Sequence, residues 1–315
     1  MANKLLITGG GGFCGSHLAE HFASTWKVRL FDSFLRDSLK YAPGLRSNPN
    51  VEVLRGDILD RDAVRNALDG CSTVFHCAAI AGVSSYYEKS VETLRVNILG
   101  TFNLLDAMVE RDVKRVVYFS TSEIYGPNAR NVRETDAPTS GPVSQRRWVY
   151  SVSKLSGEHT MLRYGETYGI GVTVIRPFNV YGPRQIGEGA VSNFCRCLTV
   201  GKPLEIYGDG GDVRAWCHVQ DLTSAMALIV DNPDANGRVF NIGNPDASVT
   251  TAELADRLVA INGSGSITKV PSEHSPIRLR SPDISLARSV LSFQPRVGLE
   301  EGLRNTLNWF KSISA

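Results

Sequence analysis

Tyr150 and Lys154 are the two residues whose types and spacing most directly suggest chemistry. They stand at positions i and i+4 of a segment with helical periodicity, so both side chains share one face of the predicted helix. A nearby ammonium group stabilises a phenolate and lowers the phenol pKa from its ordinary value of about 10. Such a pair could remove a proton from a substrate hydroxyl. On an isolated helix, however, the same spacing is more often a surface feature.

A second polar group follows the apolar run Val116 to Phe119, which we predict to be a strand. Thr121, Ser122 and Glu123 come directly after it. The carboxyl ends of parallel strands line the ligand crevice of a doubly wound sheet, so these side chains are expected to face a reacting group. Thr121 or Ser122 would donate a hydrogen bond to its oxygen. The alternative is a polar turn that only ends the strand.

A glycine-rich segment follows the first apolar run and opens a predicted helix. Gly9, Gly12 and Gly15 have the spacing of a dinucleotide-binding fingerprint, with Phe13 and Cys14 between the last two. Such glycines permit a tight turn and close approach of the backbone to a pyrophosphate, and the amides of the helix N-terminus point at that anion. The segment therefore predicts a dinucleotide-binding site.

An acid at the end of the second apolar run bears on which dinucleotide is bound. The Asp32 carboxylate can accept hydrogen bonds from adenosine ribose hydroxyls and would repel a 2′-phosphate, which favours NAD over NADP. The alternative for Asp32 is a turn or cap at a strand end. Asp57 and its neighbour Ile58 follow the third run and are weaker candidates for contacts to adenine, since acids at such places are often caps.

The order of elements predicts an α/β fold, a doubly wound (Rossmann) parallel sheet covered on both faces. Two long segments have helical periodicity, Val91 to Val109 and Val149 to Tyr168. Short apolar runs alternate with helical segments, and the predicted strands are Leu5 to Ile7, Val28 to Phe31, Val51 to Leu54, Thr73 to Phe75, Val116 to Phe119 and Val172 to Ile175.

Loops rich in proline and glycine follow Ile175 and predict a smaller substrate lobe interleaved with the sheet. A helix-then-strand pattern from His218 to Phe240 is expected to rejoin the sheet. We predict a Rossmann domain of residues 1–176 plus about 215–242. The substrate lobe is predicted to be about 177–214 plus 243–315.

Composition excludes several classes of partner. A net charge of +2 with 21% charged residues gives no basis for nucleic-acid or anionic-membrane binding. The six cysteines form no C-x-x-C pair or zinc-type spacing with histidine, so we expect reduced cysteines and no metal. No apolar stretch approaches a membrane span or a secretory signal, which predicts a cytoplasmic protein.

Together these residues resemble the extended short-chain dehydrogenase family, in particular its NAD-dependent nucleotide-sugar epimerases, dehydratases and decarboxylases. The resemblance covers nearly the whole chain. Beyond the glycine turn and the Tyr150 to Lys154 segment, it is carried by His76-Cys77-Ala78-Ala79, Asn97, Arg176 to Arg184, Gly208-Asp209-Gly210, Arg214, His218 to Asp221 and Asn241-Ile242-Gly243.

The resemblance implies further site residues. Ala78, Ala79 and Asn97 would line the cofactor site. The residues implied to bind the sugar nucleotide, its diphosphate or a substrate carboxylate are Asn179, Arg184, Arg214, Arg278 and Arg280. Guanidinium groups suit such anions because they donate paired hydrogen bonds to them.

The shared first step would be hydride transfer from carbon 4 of the sugar to NAD, giving a 4-keto sugar. The segment Thr121 to Gly126 is similar to UDP-glucuronic acid decarboxylases, in which the 4-ketone makes the uronic acid a β-keto acid that loses carbon dioxide. In that reading Glu123 positions the sugar carboxylate and Arg214 helps to protonate the enolate.

A 4-epimerase of a uronic acid or hexose is the alternative, then a 4,6-dehydratase, which Ser122 disfavours because the usual dehydratase has Asp there. An inactive sugar-nucleotide sensor is the non-enzyme alternative.

In relatives the two long helices form a four-helix interface between subunits, so the resemblance also implies a homodimer. The alternative is that both apolar faces only cover the sheet.

Overall fold

The computed structural model describes residues 3–82, 87–271 and 277–314. The chain divides into two compact units. Unit 1 comprises Met1–Ile124, Ser140–Arg176 and Met226–Phe240, and unit 2 comprises Tyr125–Thr139, Pro177–Ala225 and Asn241–Ala315.

Unit 1 is built on a seven-stranded sheet in the order β12-β7-β5-β4-β1-β2-β3. The pairs from β3 to β7 are all parallel. The strand order reverses between β1 and β4, which is where ligands bind in open α/β sheets. The strands are β1 (Lys4–Thr8), β2 (Lys27–Asp32), β3 (Val51–Arg55), β4 (Thr73–His76), β5 (Arg115–Phe119), β7 (Gly171–Pro177) and β12 (Arg238–Ile242). The doubly wound fold predicted from the sequence is confirmed, and β12 rejoins the sheet as expected.

The helices of unit 1 have local signals at several ends. The Asp60 carboxylate accepts hydrogen bonds from two backbone amides at the start of α3, and Gly169 ends α6 in the left-handed conformation, with φ 66°. The helices are α1 (Phe13–Phe22), α2 (Pro43–Arg46), α3 (Arg61–Ala67), α4 (Ser90–Leu94), α5 (Gly100–Glu110) and α6 (Val149–Tyr168).

A π-helical turn, Arg95–Leu99, lies between α4 and α5. The sequence predicted one regular helix from Val91 to Val109, and this interruption was missed. Apolar periodicity does not distinguish a π turn from a regular one. Such turns are frequent at functional sites, and this one contains Asn97.

Unit 2 contains a four-stranded sheet in the order β13-β10-β15-β6 and two short parallel pairs, β8 with β11 and β9 with β14. Its strands are β6 (Asn128–Val132), β8 (Val180–Tyr181), β9 (Leu204–Tyr207), β10 (Val213–Ala215), β11 (Cys217–His218), β13 (Ser248–Thr250), β14 (Ile267–Val270) and β15 (Leu279–Pro282). Its helices are α7 (Ala190–Thr199), α9 (Thr251–Asn262), α10 (Ser285–Leu291) and α11 (Leu299–Ser314), with α8 (Val219–Val230) beginning in this unit.

The boundaries of the units differ from the predicted ones at three segments, 125–139, about 215–225 and 241–242, all of which belong to unit 2. Residues 125–139 belong to unit 2, because β6 pairs with β15 there. Residues 217–225 also belong to unit 2, because β11 pairs with β8. Both pairings join segments far apart in the chain, so the local pattern could not indicate them. Over the described ranges, no helix is both long and apolar enough to cross a membrane.

Candidate active site

The glycine turn joins β1 to α1 in the way that a dinucleotide site requires. Gly9 has a φ of 69°, and a Cβ there would lie 2.7 Å from the backbone nitrogen of Ala78. A Cβ on Gly15 would collide with the carbonyl oxygen of Gly9. Gly12 is the N-cap of α1, and Phe13 and Cys14 are its first two residues. The two glycines therefore permit a tight turn and close packing of α1 against it, which leaves the helix amides at the N-terminus of α1 able to stabilise a pyrophosphate.

Asp32 ends β2 beside this turn. One carboxylate oxygen accepts a hydrogen bond from the Gly11 amide at 2.9 Å and the other from the Phe34 amide at 2.6 Å. Burial raises the pKa of this carboxyl, and the backbone hydrogen bonds partly oppose that shift. A carboxylate accepts about four hydrogen bonds, so Asp32 keeps acceptor capacity for ribose hydroxyls.

The surroundings of Asp57 and Ile58 support the predicted contacts to adenine less directly. The Asp57 carboxylate is exposed and accepts a hydrogen bond from the Leu59 amide at 2.9 Å, which is the local turn considered as the alternative. Ile58 is buried, and a Cβ on Gly100 would lie 2.7 Å from its methyl carbon. Ile58 therefore packs against the start of α5.

Asn97 holds the loop that follows β4. Its amide oxygen accepts a hydrogen bond from the Ile80 amide at 2.9 Å. Its amide nitrogen donates to the Ile80 carbonyl at 3.2 Å and to the Ser153 hydroxyl at 2.9 Å. Ala78 and Ala79 lie in this loop, so Asn97 supports the predicted cofactor residues by fixing their backbone to α6.

His76 lies at the centre of a buried hydrogen-bond chain below the glycine turn. Thr101 donates its hydroxyl proton to the Asn97 carbonyl at 2.7 Å, so at His76 Nε2, 3.2 Å away, it acts as the acceptor. Thr8 lies 2.7 Å from Nδ1 and itself accepts from the Ala78 amide. A neutral imidazole that carries its proton on Nε2 and accepts the Thr8 hydroxyl proton at Nδ1 satisfies all of these contacts. Burial and the nearby Lys154 lower the His76 pKa to about 3, in agreement.

The predicted catalytic residues come together at the carboxyl end of β5. Tyr150 and Lys154 lie in the first turns of α6, and the Thr121 side chain is hydrogen-bonded to the Tyr150 phenol. Ser122 begins a 3-10 helix, Ser122–Tyr125, that also contains Glu123. The Lys154 ammonium is buried, 4.3 Å from the centre of the Tyr118 ring.

The electrostatics of Tyr150 differ from the simple expectation. In the protein alone, burial and then the Glu123 carboxylate raise the phenol pKa above its ordinary value, and only the Thr121 hydrogen bond opposes them. Burial also lowers the pKa of Lys154 to about 8. The reason is that desolvation disfavours the charged form of each group. In the protein alone, both groups are therefore displaced toward their neutral forms.

Glu123 forms an ion pair with Arg147, with 3.4 Å between a carboxylate oxygen and Nη2. Both side chains are largely buried. The sequence reading assigned no role to Arg147. Arg147 lies in the 3-10 helix Arg146–Trp148, which leads directly into α6 and places Arg147 one turn before Tyr150.

A second ion pair lies deeper in unit 1. Arg176 donates to the Glu158 carboxylate through Nε at 3.0 Å and Nη2 at 2.7 Å. The Ser120 hydroxyl donates to the same carboxylate at 2.5 Å. All three side chains are buried. Glu158 and Ser120 were not predicted as functional residues.

Unit 2 contains the predicted anion-binding residues. Arg214 on β10 and Arg280 on β15 are directly paired in the parallel ladder, so their side chains leave the sheet on the same face. Arg280 is buried, whereas Arg214 lies 3.5 Å from Asp212. Adjacent like charges are unfavourable in a sheet, and an anion bound between them would remove that cost.

The other three predicted substrate residues have different surroundings. Arg278 is half exposed and pairs with Asp209 at 2.9 Å and Asp212 at 3.6 Å. Asn179 and Arg184 have positive φ values of 36° and 66°, which are strained for these residues and typical of functional sites. The Asn179 amide donates to the Ala215 carbonyl at 2.9 Å, so it is fixed against β10.

Comparison with known proteins identifies the family. Residues 5–243 match the NAD dependent epimerase/dehydratase family. The chain belongs to this family. UDP-N-acetyl-alpha-D-glucosaminuronate decarboxylase of Bacillus cytotoxicus is 34% identical over 99% of both chains. UDP-glucuronic acid decarboxylase 1 of Arabidopsis thaliana is 32% identical over 98% of this chain and 70% of its own length.

Among solved structures, UDP-glucuronic acid 4-epimerase from Bacillus cereus, in complex with UDP-glucuronic acid and NAD, superimposes with a TM-score of 0.90. It is 30% identical and covers 98% of this chain and 99% of its own. Membership of the epimerase/dehydratase family confirms the predicted enzyme class and the predicted cofactor, NAD. The tight turn at Gly9 and Gly15, the N-terminus of α1 and the acceptor at Asp32 fit that cofactor.

Proposed function

We propose that this protein removes carbon dioxide from the sugar of a UDP-linked uronic acid. The observation that carries the proposal is the ion pair between Glu123 and Arg147, beside the Tyr150 phenol. A carboxylate and a guanidinium at the place where the sugar would be oxidised suit a substrate that itself bears a carboxylate. The two decarboxylase relatives, acting on UDP-linked N-acetylglucosaminuronate and glucuronate, support it.

Several residues of unit 1 would each have a separate role in the oxidation step. Tyr150 takes the proton of the sugar 4-hydroxyl, and Thr121 or Ser122 donates a hydrogen bond to the same oxygen. Lys154 stabilises the phenolate. The glycine turn and Asp32 would hold NAD, which when bound supplies the hydride acceptor and a positive ring near the phenol. That charge would favour the phenolate and oppose the burial that raises the Tyr150 pKa in the protein alone.

After oxidation, the 4-keto uronic acid is a β-keto acid. Its carbon–carbon bond to the carboxylate can break with the electrons passing to the ketone oxygen, and the enolate that results takes up a proton at the carbon that carried the carboxylate. Glu123 would orient the sugar carboxylate by repulsion and exclude water from it. Arg147 would hold Glu123 in place and offset its charge. Loss of carbon dioxide is favoured where the carboxylate is poorly solvated.

The nucleotide part would be bound by unit 2. Arg214 and Arg280 are the proposed diphosphate ligands, because their adjacent guanidinium groups share one face of the sheet. Arg278, Asn179 and Arg184 are proposed as further substrate contacts. UDP is the proposed nucleotide because the decarboxylase relatives and the solved epimerase carry UDP in their names.

The experiment supplies the protein and NAD with UDP-glucuronate or UDP-N-acetylglucosaminuronate and measures carbon dioxide. UDP-glucose, which lacks the carboxylate, is the matched control substrate. Release of carbon dioxide from either acid is expected. Lasting NADH absorbance would show that the final reduction of the ketone is absent, and no release from either acid would refute decarboxylation.

A 4-epimerase is the second candidate, favoured by the solved UDP-glucuronic acid 4-epimerase of the same fold. Interconversion of UDP-glucuronate and UDP-galacturonate without carbon dioxide would establish it. The 4,6-dehydratase alternative is weaker because Ser122 precedes Glu123.

Replacement of Tyr150 by Phe should abolish turnover and preserve NAD binding, and unchanged turnover would refute the role of Tyr150 in all these reactions.

We also propose a cytoplasmic homodimer. Large apolar side chains are exposed on the two helical segments predicted to form an interface, with exposures of 68% for Val91, 38% for Phe102 and 44% for Val152. A second copy would cover them. Sedimentation that gives a monomer at micromolar concentration would refute the dimer.

A further inference from the structure

Glu158 is a buried acid that acts on Lys154 and, through Ser120, on Thr121. It lies one helical turn after Lys154 and two turns after Tyr150 on α6, so the three residues share a helix face. Its carboxylate receives two hydrogen bonds from Arg176 at the end of β7 and one from Ser120 at the end of β5. One side chain therefore connects a helix to the ends of two strands.

The hydrogen bond from Ser120 has a direct consequence for Thr121. Ser120 also donates its backbone amide to the Ile175 carbonyl at 2.8 Å, so its main chain and its side chain are both fixed. Thr121 is the next residue, and its side chain is hydrogen-bonded to Tyr150. The distance from the Thr121 hydroxyl to the phenol thus depends on a residue held by Glu158.

The charge of Glu158 also acts on Lys154. Burial lowers the Lys154 pKa, and Glu158 opposes that shift by favouring the ammonium form. The Tyr118 ring, which lies under the ammonium, donates its hydroxyl to the Lys154 carbonyl at 3.4 Å. The Tyr118 hydroxyl thus fixes the main chain of Lys154, and the Tyr118 ring lies beside its ammonium group.

Stability alone is a poor reason for such an arrangement. A buried ion pair commonly adds little over apolar residues of the same volume, because both charges are desolvated. We propose that Glu158, held by Arg176, is a positioning residue that sets the Thr121 hydroxyl and the Lys154 ammonium against Tyr150. The inference rests on the proposed roles of Tyr150 and Lys154, and it is independent of what happens to the ketone.

The test is an ultraviolet titration of the Tyr150 phenolate in the NAD-loaded protein, taken as the difference from Tyr150→Phe. It needs no sugar. Ser120→Ala removes the hydroxyl bond to Glu158 and leaves the ion pair, so it should reduce the Tyr150 phenolate at neutral pH by about fivefold to tenfold, which corresponds to about one pKa unit. Ser192→Ala, another buried hydroxyl, in unit 2, is the matched control and should leave the titration unchanged.

Glu158→Gln should reduce the phenolate further, because the charge beside Lys154 is also lost. If that variant does not fold, Ser120→Ala decides the question. An identical titration in Ser120→Ala and the unmodified protein would overturn the proposal, as would the absence of any Tyr150 phenolate below the ordinary phenol pKa of about 10. A shifted titration in a protein that releases no carbon dioxide would support positioning and refute decarboxylation separately.

Discussion

At the scale of single residues, the site is governed by burial as much as by charge. Tyr150, Lys154 and His76 all have pKa values displaced toward the neutral form, and burial is the largest cause in each case. A hydrogen bond from Thr121 opposes that effect at Tyr150, and the charges of Cys77 and Glu158 oppose it at Lys154. The reactivity of this site therefore depends on which charges stand within a few ångströms of the phenol.

Glu123→Gln should separate two effects of that carboxylate. Glu123 raises the Tyr150 pKa, so its neutralisation should lower that pKa. A phenolate base is active above its pKa, so the acid limb of the pH–rate profile should move to lower pH. At the same time the maximal rate of carbon dioxide release should fall by about 10²-fold, the size of effect typical of a group acting in the transition state. Profiles recorded from pH 5 to 9 test both, and an acid limb that moves to higher pH would contradict the assignment.

His76 should make stability depend on pH. Its pKa in the folded protein is about 3, below the ordinary value of 6.5, so between these values the unfolded chain binds a proton that the folded protein does not. The stabilisation is complete above pH 6.5 and is lost as pH falls toward 3. From pH 6.5 to 5 the free energy of unfolding should decrease by about 2 kcal/mol.

Urea unfolding at these pH values measures the His76 effect. His76→Gln should be less stable at pH 7 and should lose this part of the pH dependence. The exposed His159, changed to Gln, is the matched control and should keep the full slope. An unchanged slope in His76→Gln would contradict the neutral, buried state of His76.

At the scale of elements, the contact of α6 with β5 decides where the catalytic face lies. A Cβ on Gly157 would collide with the Tyr118 hydroxyl, which bonds to the Lys154 carbonyl. Only glycine lets the helix approach the strand closely enough for Lys154 to lie over the Tyr118 ring. The close packing that requires glycine at position 157 therefore also determines where Lys154 lies.

Gly157→Ala should therefore destabilise the protein although alanine favours helices. Overpacking of this kind costs about 1 to 3 kcal/mol, which differential scanning calorimetry would detect as a lower Tm. Gly44→Ala is the control, since a Cβ at Gly44 meets nothing within 4 Å. Equal or higher stability of Gly157→Ala would show that α6 can shift without cost.

At the scale of the whole molecule, the two proposed ligands belong to different units. NAD is assigned to the glycine turn of unit 1, and the diphosphate is assigned to Arg214 and Arg280 of unit 2. A ligand that binds only the folded protein stabilises it, by about 2.7 kcal/mol at a hundredfold excess over Kd. Each ligand should accordingly raise the Tm through its own residues.

Arg280→Met should remove the rise in Tm caused by UDP and keep the rise caused by NAD. The methionine fills the buried space without the charge, and Arg304→Met, at an exposed position of α11, is the matched control. Thermal unfolding with each ligand measures both effects, and Arg214→Met provides a second test if Arg280→Met does not fold. A full UDP effect in both variants would contradict the diphosphate assignment.

The sequence by itself determined the features that are local in the chain. The glycine turn, the pairing of Tyr150 with Lys154 and the alternation of strands and helices repeat over a few residues, so spacing was sufficient to find them. Asp32 was found because it ends a strand at the expected distance from the glycines. The fold, the family and the cofactor followed from these.

Only the tertiary structure decided which distant side chains share a buried space. Glu158 with Ser120, His76 with Thr8 and Thr101, and the strand pairing that moves residues 125–139 into unit 2 join parts of the chain that no local pattern connects. The same holds for the displaced pKa of Tyr150, because burial is a property of the folded chain. The spacing of residues in the sequence indicates which of them can react, whereas desolvation and neighbouring charges in the folded protein determine whether they do.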